Sequence, residues 1–250
     1  MVNNVFKIAL NAGHGLYTPG KRCLETLDKT ETREWVLNSR ICNKVEEKLK
    51  AYKGYEVIRL DDVSGKTDTP LVTRTDKANS WGADFYLSIH HNAGVNGGSG
   101  GGIIAIVYLN ASEKSKEWQE ALYNNLIKHT NLKGNRSTPL SKQNLHECRE
   151  SDMPCVLLEL GFMDSSTDVP IIVTEEFADK CATAIVEVLV KKGGLTKVAT
   201  SVELTSVNDI VWELAERGII IDKALWLEKL ETDKNAYWLA RKCLNHIRGL

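Results

Sequence analysis

Titratable residues stand at four places along the chain where they could do chemistry together. His14 lies between Gly13 and Gly15, just beyond the apolar run Phe6 to Leu10. His90 and His91 follow Phe85 to Ile89, and Glu159 follows Cys155-Val156-Leu157-Leu158. Glu34 opens an amphipathic stretch beyond a long polar segment. Two histidines and a carboxylate, with water in the fourth position, form a hydrolytic zinc set. A second glutamate beside them is what such a site needs as general base.

Each residue also has an ordinary structural reading. A histidine after a strand is commonly a turn residue, and a glutamate at a helix start is stabilised by the helix dipole alone. Neighbouring strand residues point to opposite faces, so one of His90 and His91 is expected as a ligand; the two-residue period groups His90 with Tyr86 and Ser88, which favours it. Glu159 is the hardest to explain structurally. An unpaired carboxylate in a buried strand costs several kcal/mol, and although an ion pair could satisfy it, a metal or a catalytic role accounts for it better.

The elements that must position these residues alternate between strand-like and helical patterns. Strands are expected at Phe6–Leu10, Tyr55–Leu60, Ala83–His90, Ile103–Leu109 and Cys155–Leu160. Helices are expected at Trp35–Tyr52, Leu71–Trp81, Glu113–Thr130 and Glu175–Lys191. Such alternation implies an α/β fold, a largely parallel sheet flanked by helices. In open parallel sheets, ligands bind beyond the C-terminal strand ends, where His14, His90 and Glu159 all fall if their strands are parallel and adjacent. The loop after the first strand is long enough to bring Glu34 to the same rim.

The alternation stops near Lys192. Residues 1–192 are expected to form the catalytic domain, 193–205 a linker, and 206–250 a small all-α C-terminal module. In that module Val207, Ile210, Val211 and Leu214 recur at helical spacing, as do Trp226, Leu227 and Leu230, then Trp238 and Leu239 with Leu244 and Ile247. Trp212, Trp226 and Trp238 fall on apolar-periodic positions and are expected in its core. The glycine-rich run Gly97 to Gly102 reads as a tolerant turn between strands rather than a wall of the site.

Composition narrows the partners. The 250 residues are 42% hydrophobic and 26% charged with a formal net charge of -1, ordinary for a globular protein with a core. No basic block suggests nucleic acid, and no apolar run approaches the roughly 18 residues that span a bilayer. The six cysteines are scattered without a C-x-x-C pair and read as structural. The N-terminus enters a strand-like run without the features of a secretory signal, so the chain is expected to start in the cytoplasm and to need release to reach any substrate outside.

Taken together, four segments resemble the signatures of the zinc amidase family known as Amidase_3, in that family's order: NAGHG (Asn11 to Gly15), ETREWVLN (Glu31 to Asn38), SIHHNA (Ser88 to Ala93) and LLELGF (Leu157 to Phe162). The resemblance covers roughly Phe6 to Lys191. It implies one Zn2+ bound by His14, Glu34 and His90, with Glu159 catalytic. It further implies hydrolysis of the amide between the lactyl group of N-acetylmuramic acid and L-alanine in bacterial peptidoglycan. The sequence departs from the family pattern at Asn11-Ala12 (usually Asp-Pro), at His91 (usually Ala) and at Asp164-Ser165 (commonly Ser-Asn); none removes a ligand implied by the resemblance.

A catalytic domain followed by a linker and a small module resembles the layout of phage endolysins acting on Gram-positive walls, which a bacterial autolysin would share. Residues 206–250 would then bind a wall polymer or self-associate. A metal-binding but inactive wall-recognition module, or a zinc peptidase of similar topology, are the rival classes.

Overall fold

A computed structural model of the chain describes residues 5–198, 207–220 and 222–248. Thr200 and Ser201 of the expected linker lie outside the described residues, as does the side chain of Ile247. Two compact units divide the chain, 1–196 and 197–250.

The first unit is a six-stranded sheet between helical layers. Its strands are β1 (Phe6–Ala12), β3 (Tyr55–Arg59), β4 (Phe85–Asn92), β5 (Ile103–Tyr108), β6 (Leu140–Gln143) and β7 (Cys155–Phe162); β2 (Tyr52–Lys53) and β8 (Thr196–Lys197) are short and lie outside that sheet. The strand order is β3-β1-β4-β7-β5-β6, with every pairing parallel except β5 against β7. The expected fold class is the one observed.

β1, β4 and β7 are central, and their inward runs are almost wholly buried, as expected for strands covered on both faces. On one face Ile8, Leu10, Phe85, Leu87, Val156 and Leu158 pack with α1 (Glu34–Leu49), α3 (Glu113–Thr130) and α6 (Glu175–Gly193). The other face is thinner: Ala9, Tyr86, Cys155 and Leu157 meet Ala78 of α2 (Leu71–Trp81) and Cys148 of α4 (His146–Glu150). The remaining helix of this unit, α5 (Val169–Ile172), is one turn.

Local signals set the helix limits. Ser112 and Thr174 cap α3 and α6 by accepting from the N–H groups of Ser115 and Phe177. Gly82 and Gly194 end α2 and α6 in the left-handed conformation that suits glycine. Five short elements were not expected: β2, β8 and α5, each of four residues or fewer, and β6 and α4, both within a polar stretch that carries neither a strand nor a helix period of useful length.

The second unit contains α7 (Val207–Glu216), α8 (Lys223–Thr232) and α9 (Lys234–Arg248), closed over Ile210, Val211, Leu214, Leu230, Ala240 and Leu244. Asp222 caps α8 through the Leu225 N–H. The expectation of three core tryptophans is corrected. Trp226 packs at the edge of this core, but Trp212 and Trp238 are 55% and 60% exposed. Each lies beneath a lysine, Lys223 at 3.5 Å and Lys242 at 4.5 Å from the ring centroid. A small bundle fills its centre with the narrow stripe of aliphatic side chains, and the wider indoles are left at its rim beneath cations. The cysteines follow their expected role in the larger unit, where all five are buried; Cys243 of α9 is exposed.

Candidate active site

The C-terminal ends of β1, β4 and β7 lie side by side, and parallel register fixes which residues adjoin. Asn11 pairs with Ser88, and His90 with Glu159. Strand alternation then puts Tyr86, Ser88 and His90 on the face covered by α2 and α4. His91 turns the other way, toward α1, where its Nδ1 lies 2.8 Å from Asn38 Oδ1. Asn38 also donates to the Gly13 carbonyl at 3.1 Å, so His91 helps hold the His14 turn from behind.

His14 follows β1 with φ at +64°, an uncommon backbone for a non-glycine residue. Gly13 before it is required by space: a Cβ there would overlap the His90 ring. Glu34 begins α1, whose first turn is anchored by the Glu34 N–H donating to the Lys21 carbonyl at 3.0 Å. Although a helix-start glutamate is usually solvated, this one is buried.

Donor atoms of His14, Glu34 and His90 all lie within 4.8 Å of one another, the one such group of three among the described residues. His14 Nε2 is 3.4 Å from Glu34 Oε2, and His90 Nδ1 is 3.2 Å from Glu34 Oε1. Each histidine thus faces its own oxygen of Glu34, close enough for one ion with bonds of about 2.0–2.1 Å to reach both rings and the carboxylate. Glu34 Oε2 is buried without a hydrogen bond, and so is Oε2 of Glu159 beside it. Buried polar oxygens are ordinarily satisfied. A histidine–glutamate–histidine set this close, with Glu34 Oε2 left without a partner, fits a bound zinc ion.

The electrostatics agree with such a fit. Burial lowers the His14 pKa to about 4, so its ring is neutral at neutral pH with a lone pair to give. Burial opposes ionisation of Glu34, but His90, His14 and Lys21 outweigh it and hold the carboxyl at about 2. Burial likewise opposes the charge on His90, yet the carboxylates of Glu147, Glu34 and Glu159 raise it to about 10. That many acidic groups around one ring call for positive charge. Glu159 is different. Its burial outweighs the pull of His90 and Lys21, and its carboxyl rises to about 7, suited to taking and returning a proton near neutrality.

An open cleft of about 370 Å³ leads to these groups and is lined by His14, Asp68, Thr69, Pro70, Leu71, Arg74, His90 and Glu147. A larger hollow of about 700 Å³ along α3 and α6 is bordered by charged side chains such as Glu120, Lys128 and Lys192 and contains no histidine. The chemistry belongs to the smaller one.

Behind the cleft is a buried polar cluster that sequence reasoning missed. The Arg74 guanidinium is 1% exposed. It donates to Asn11 Oδ1, to the Ala12 carbonyl at 2.9 Å, to the His14 carbonyl at 3.4 Å and to Asp68 at 3.0 Å. Asn11 Nδ2 in turn donates to Glu147 at 2.8 Å. The one signal available was Asn11 itself, an amide at the end of an apolar strand.

The glycine-rich run does not border the cleft. Its neighbours Gly94, Val95 and Asn96 each donate a backbone N–H to Asp164 Oδ2, at 2.7 to 2.9 Å, so this loop is tied to the end of β7. All three departures from the family pattern therefore have structural work: Asn11 in the buried cluster, His91 with Asn38, and Asp164 in this loop.

Known proteins share this arrangement of sheet and motifs. The Amidase_3 family model, described as N-acetylmuramoyl-L-alanine amidase, matches residues 8–191. A sporulation-specific N-acetylmuramoyl-L-alanine amidase of Bacillus subtilis (strain 168) is 30% identical over 199 residues, spanning 78% of this chain and 71% of that protein. The endolysin of Bacillus phage SPP1 is 29% identical over 112 residues, 45% of this chain and 41% of its own length. Among solved structures, the N-acetylmuramoyl-L-alanine amidase from Clostridium difficile 630 superposes with a TM-score of 0.65 at 27% identity, over 75% of this chain and 96% of that one. By fold, by ordered motifs and by these matches, the chain belongs to the Amidase_3 family of N-acetylmuramoyl-L-alanine amidases, hydrolases of peptidoglycan.

Proposed function

We propose that the chain hydrolyses the lactyl–L-alanine amide of peptidoglycan with one zinc ion held by His14, Glu34 and His90 and with Glu159 as general base. The observation that supports this best is the conjunction of three metal-ligating side chains with donor atoms within 4.8 Å of one another and an unpartnered, proton-poised carboxylate on the strand beside His90. A zinc ion held there supplies Lewis acidity, polarising the amide carbonyl and lowering the pKa of the attacking water to about 7.

The chain's own residues do the rest. Glu159 takes one proton from water as its oxygen attacks the carbonyl carbon, then delivers that proton to the nitrogen as the C–N bond breaks. The stem peptide leaves with L-alanine as its free amine, and the lactyl group is left as a carboxylic acid whose remaining water-derived proton passes to solvent. Arg74 holds the carbonyls of Ala12 and His14, keeping the ligand-bearing turn in place while substrate enters the cleft.

The test is release of stem peptides with new L-alanine amino termini from purified Gram-positive walls. Wild type, wild type with chelator, and Glu159→Ala would be compared, with zinc content measured in each. Chelator-sensitive release that is lost in a variant still holding zinc supports the assignment. Reducing sugars among the products would refute the bond, and no release by a zinc-loaded wild type would favour a wall-recognition module.

The biological setting is read as that of a phage or prophage endolysin. Similarity to the SPP1 endolysin supports this, while the more extensive similarity to a sporulation-specific bacterial amidase favours a bacterial wall enzyme. Lysis on co-expression with a holin, against none, separates the two. For the C-terminal unit, wall-polymer binding is the proposed role, supported by the exposed rings of Trp212 and Trp238; self-association is the alternative, and light scattering on the full chain distinguishes them.

A further inference from the structure

Glu147, the second residue of α4, is a carboxylate outside the set of three donors and 4% exposed. Its position is over-determined. Oε1 accepts from the Tyr86 hydroxyl at 2.6 Å and from Asn11 Nδ2 at 2.8 Å, and Ser88 Oγ lies 3.3 Å from Oε1 and 3.2 Å from Oε2. Oε2 faces His90 Nε2 at 3.7 Å, an ion-pair distance about half an ångström beyond a hydrogen bond. His90 Nε2 is buried and has no other polar partner among the described residues. So the ring stands between two carboxylates, Glu34 at Nδ1 and Glu147 at Nε2. His14 repeats the pattern in open form, with Nε2 toward Glu34 and Nδ1 4.0 Å from Asp68.

We propose that Glu147 is the positioning carboxylate of His90: it holds the Nε2 proton and thereby leaves the Nδ1 lone pair free beside Glu34 for the metal. This rests on the zinc site proposed above. A neutral imidazole carries one proton, and both nitrogens of His90 face a carboxylate, Nδ1 at 3.2 Å and Nε2 at 3.7 Å; with Nδ1 and Glu34 both committed to the metal, the proton falls to Nε2 and its acceptor is Glu147. Partners of this kind fix the tautomer and plane of metal-bound histidines, and losing one commonly costs 10- to 100-fold in metal affinity.

The hydrogen bonds around Glu147 make Glu147→Gln an informative variant. Tyr86 and Asn11 both donate to Oε1, so the amide oxygen must remain there and the NH2 must occupy the place of Oε2. That NH2 would confront Nε2 with a donor and favour the opposite tautomer, protonated at Nδ1. Glu147→Leu, by contrast, removes the acceptor without opposing the ligand tautomer.

The experiment uses the full chain. Zinc affinity is measured by competition with a chromophoric chelator, and the His90 tautomer by 15N-histidine NMR of zinc-loaded protein, with thermal unfolding as the fold control. Expected are a wild type protonated at Nε2, a 10- to 100-fold weaker Glu147→Gln, and a smaller loss for Glu147→Leu. A folded Glu147→Gln that binds zinc within about twofold of wild type, or a wild-type His90 protonated at Nδ1, overturns the proposal. If Glu147→Gln does not fold, the wild-type tautomer decides. A wild type that takes up no zinc overturns the metal site and this proposal together; zinc binding unchanged by the variant overturns this proposal alone.

Discussion

Removing the charge that makes Glu159 useful should stabilise the protein. The carboxyl moves from an ordinary 4.5 to about 7 because burial penalises its ionised form. A group whose folded pKa is raised contributes its stability in full below the unfolded value and loses it as pH climbs through the folded one. At about 1.4 kcal/mol per tenfold change in proton affinity, the metal-free protein at pH 8 carries a penalty of about 3 kcal/mol from this one residue. Glu159→Gln keeps the shape and removes the charge. In the metal-free state the variant should match wild type near pH 4.5 and exceed it progressively up to pH 8. For a unit of this size that is a melting difference of roughly 6–12 °C at most. Circular dichroism melts of chelator-treated protein across that pH range, following the transition of the larger unit, provide the measurement. With zinc restored the advantage should shrink, since a neighbouring cation offsets the buried charge, and wall hydrolysis by the variant should be abolished. A difference that is flat with pH, or a variant that becomes the less stable as pH rises, would refute the assignment of a desolvated carboxyl at this position.

Other outcomes follow from contacts described above. Gly13→Ala should displace the His90 ring and abolish zinc uptake while leaving the secondary structure intact, which metal analysis and circular dichroism check together. His14→Ala should lose stoichiometric zinc and more activity than the roughly 10- to 100-fold expected of outer positioning residues. Asn38→Ala strands His91 Nδ1 and frees the Gly13 carbonyl, so urea unfolding should show a loss of about 1–3 kcal/mol. Truncation after Thr196 should preserve hydrolysis of a soluble muramoyl-peptide while reducing hydrolysis of intact walls; equal loss on both substrates would argue against a targeting role.

The sheet and the places where its strands end are legible in the sequence because both rest on short-range pattern. β1, β4 and β7 are apolar runs that stop at polar residues, and that punctuation alone marks His14, His90 and Glu159. Glu34 could be placed near the rim only by the long loop before it. Glu147 was out of reach. Its segment, Asn144-Leu145-His146-Glu147-Cys148-Arg149-Glu150, looks like any solvated helix turn, and its burial depends on Tyr86, Ser88 and Asn11, which are 59 to 136 residues away. The tryptophans of α7 and α9 failed for the converse reason. Periodicity reports which face of a helix turns inward, but a bundle of three short helices has too little interior to take every large ring on that face.

The pairing of His90 with Glu159 across β4 and β7 has a mechanical consequence. Neighbouring strands sit about 4.8 Å apart, so the spacing between the proposed base and a proposed ligand is a lattice constant of the sheet rather than the outcome of a loop closing. No hinge can loosen one without tearing the ladder that holds the other. Heat should therefore leave that spacing intact until the sheet itself melts, so any earlier decline in activity should trace to the His14 turn or the Glu34 loop, and the His90–Glu159 pair should behave less like a jaw than like a notch cut in a rigid bar.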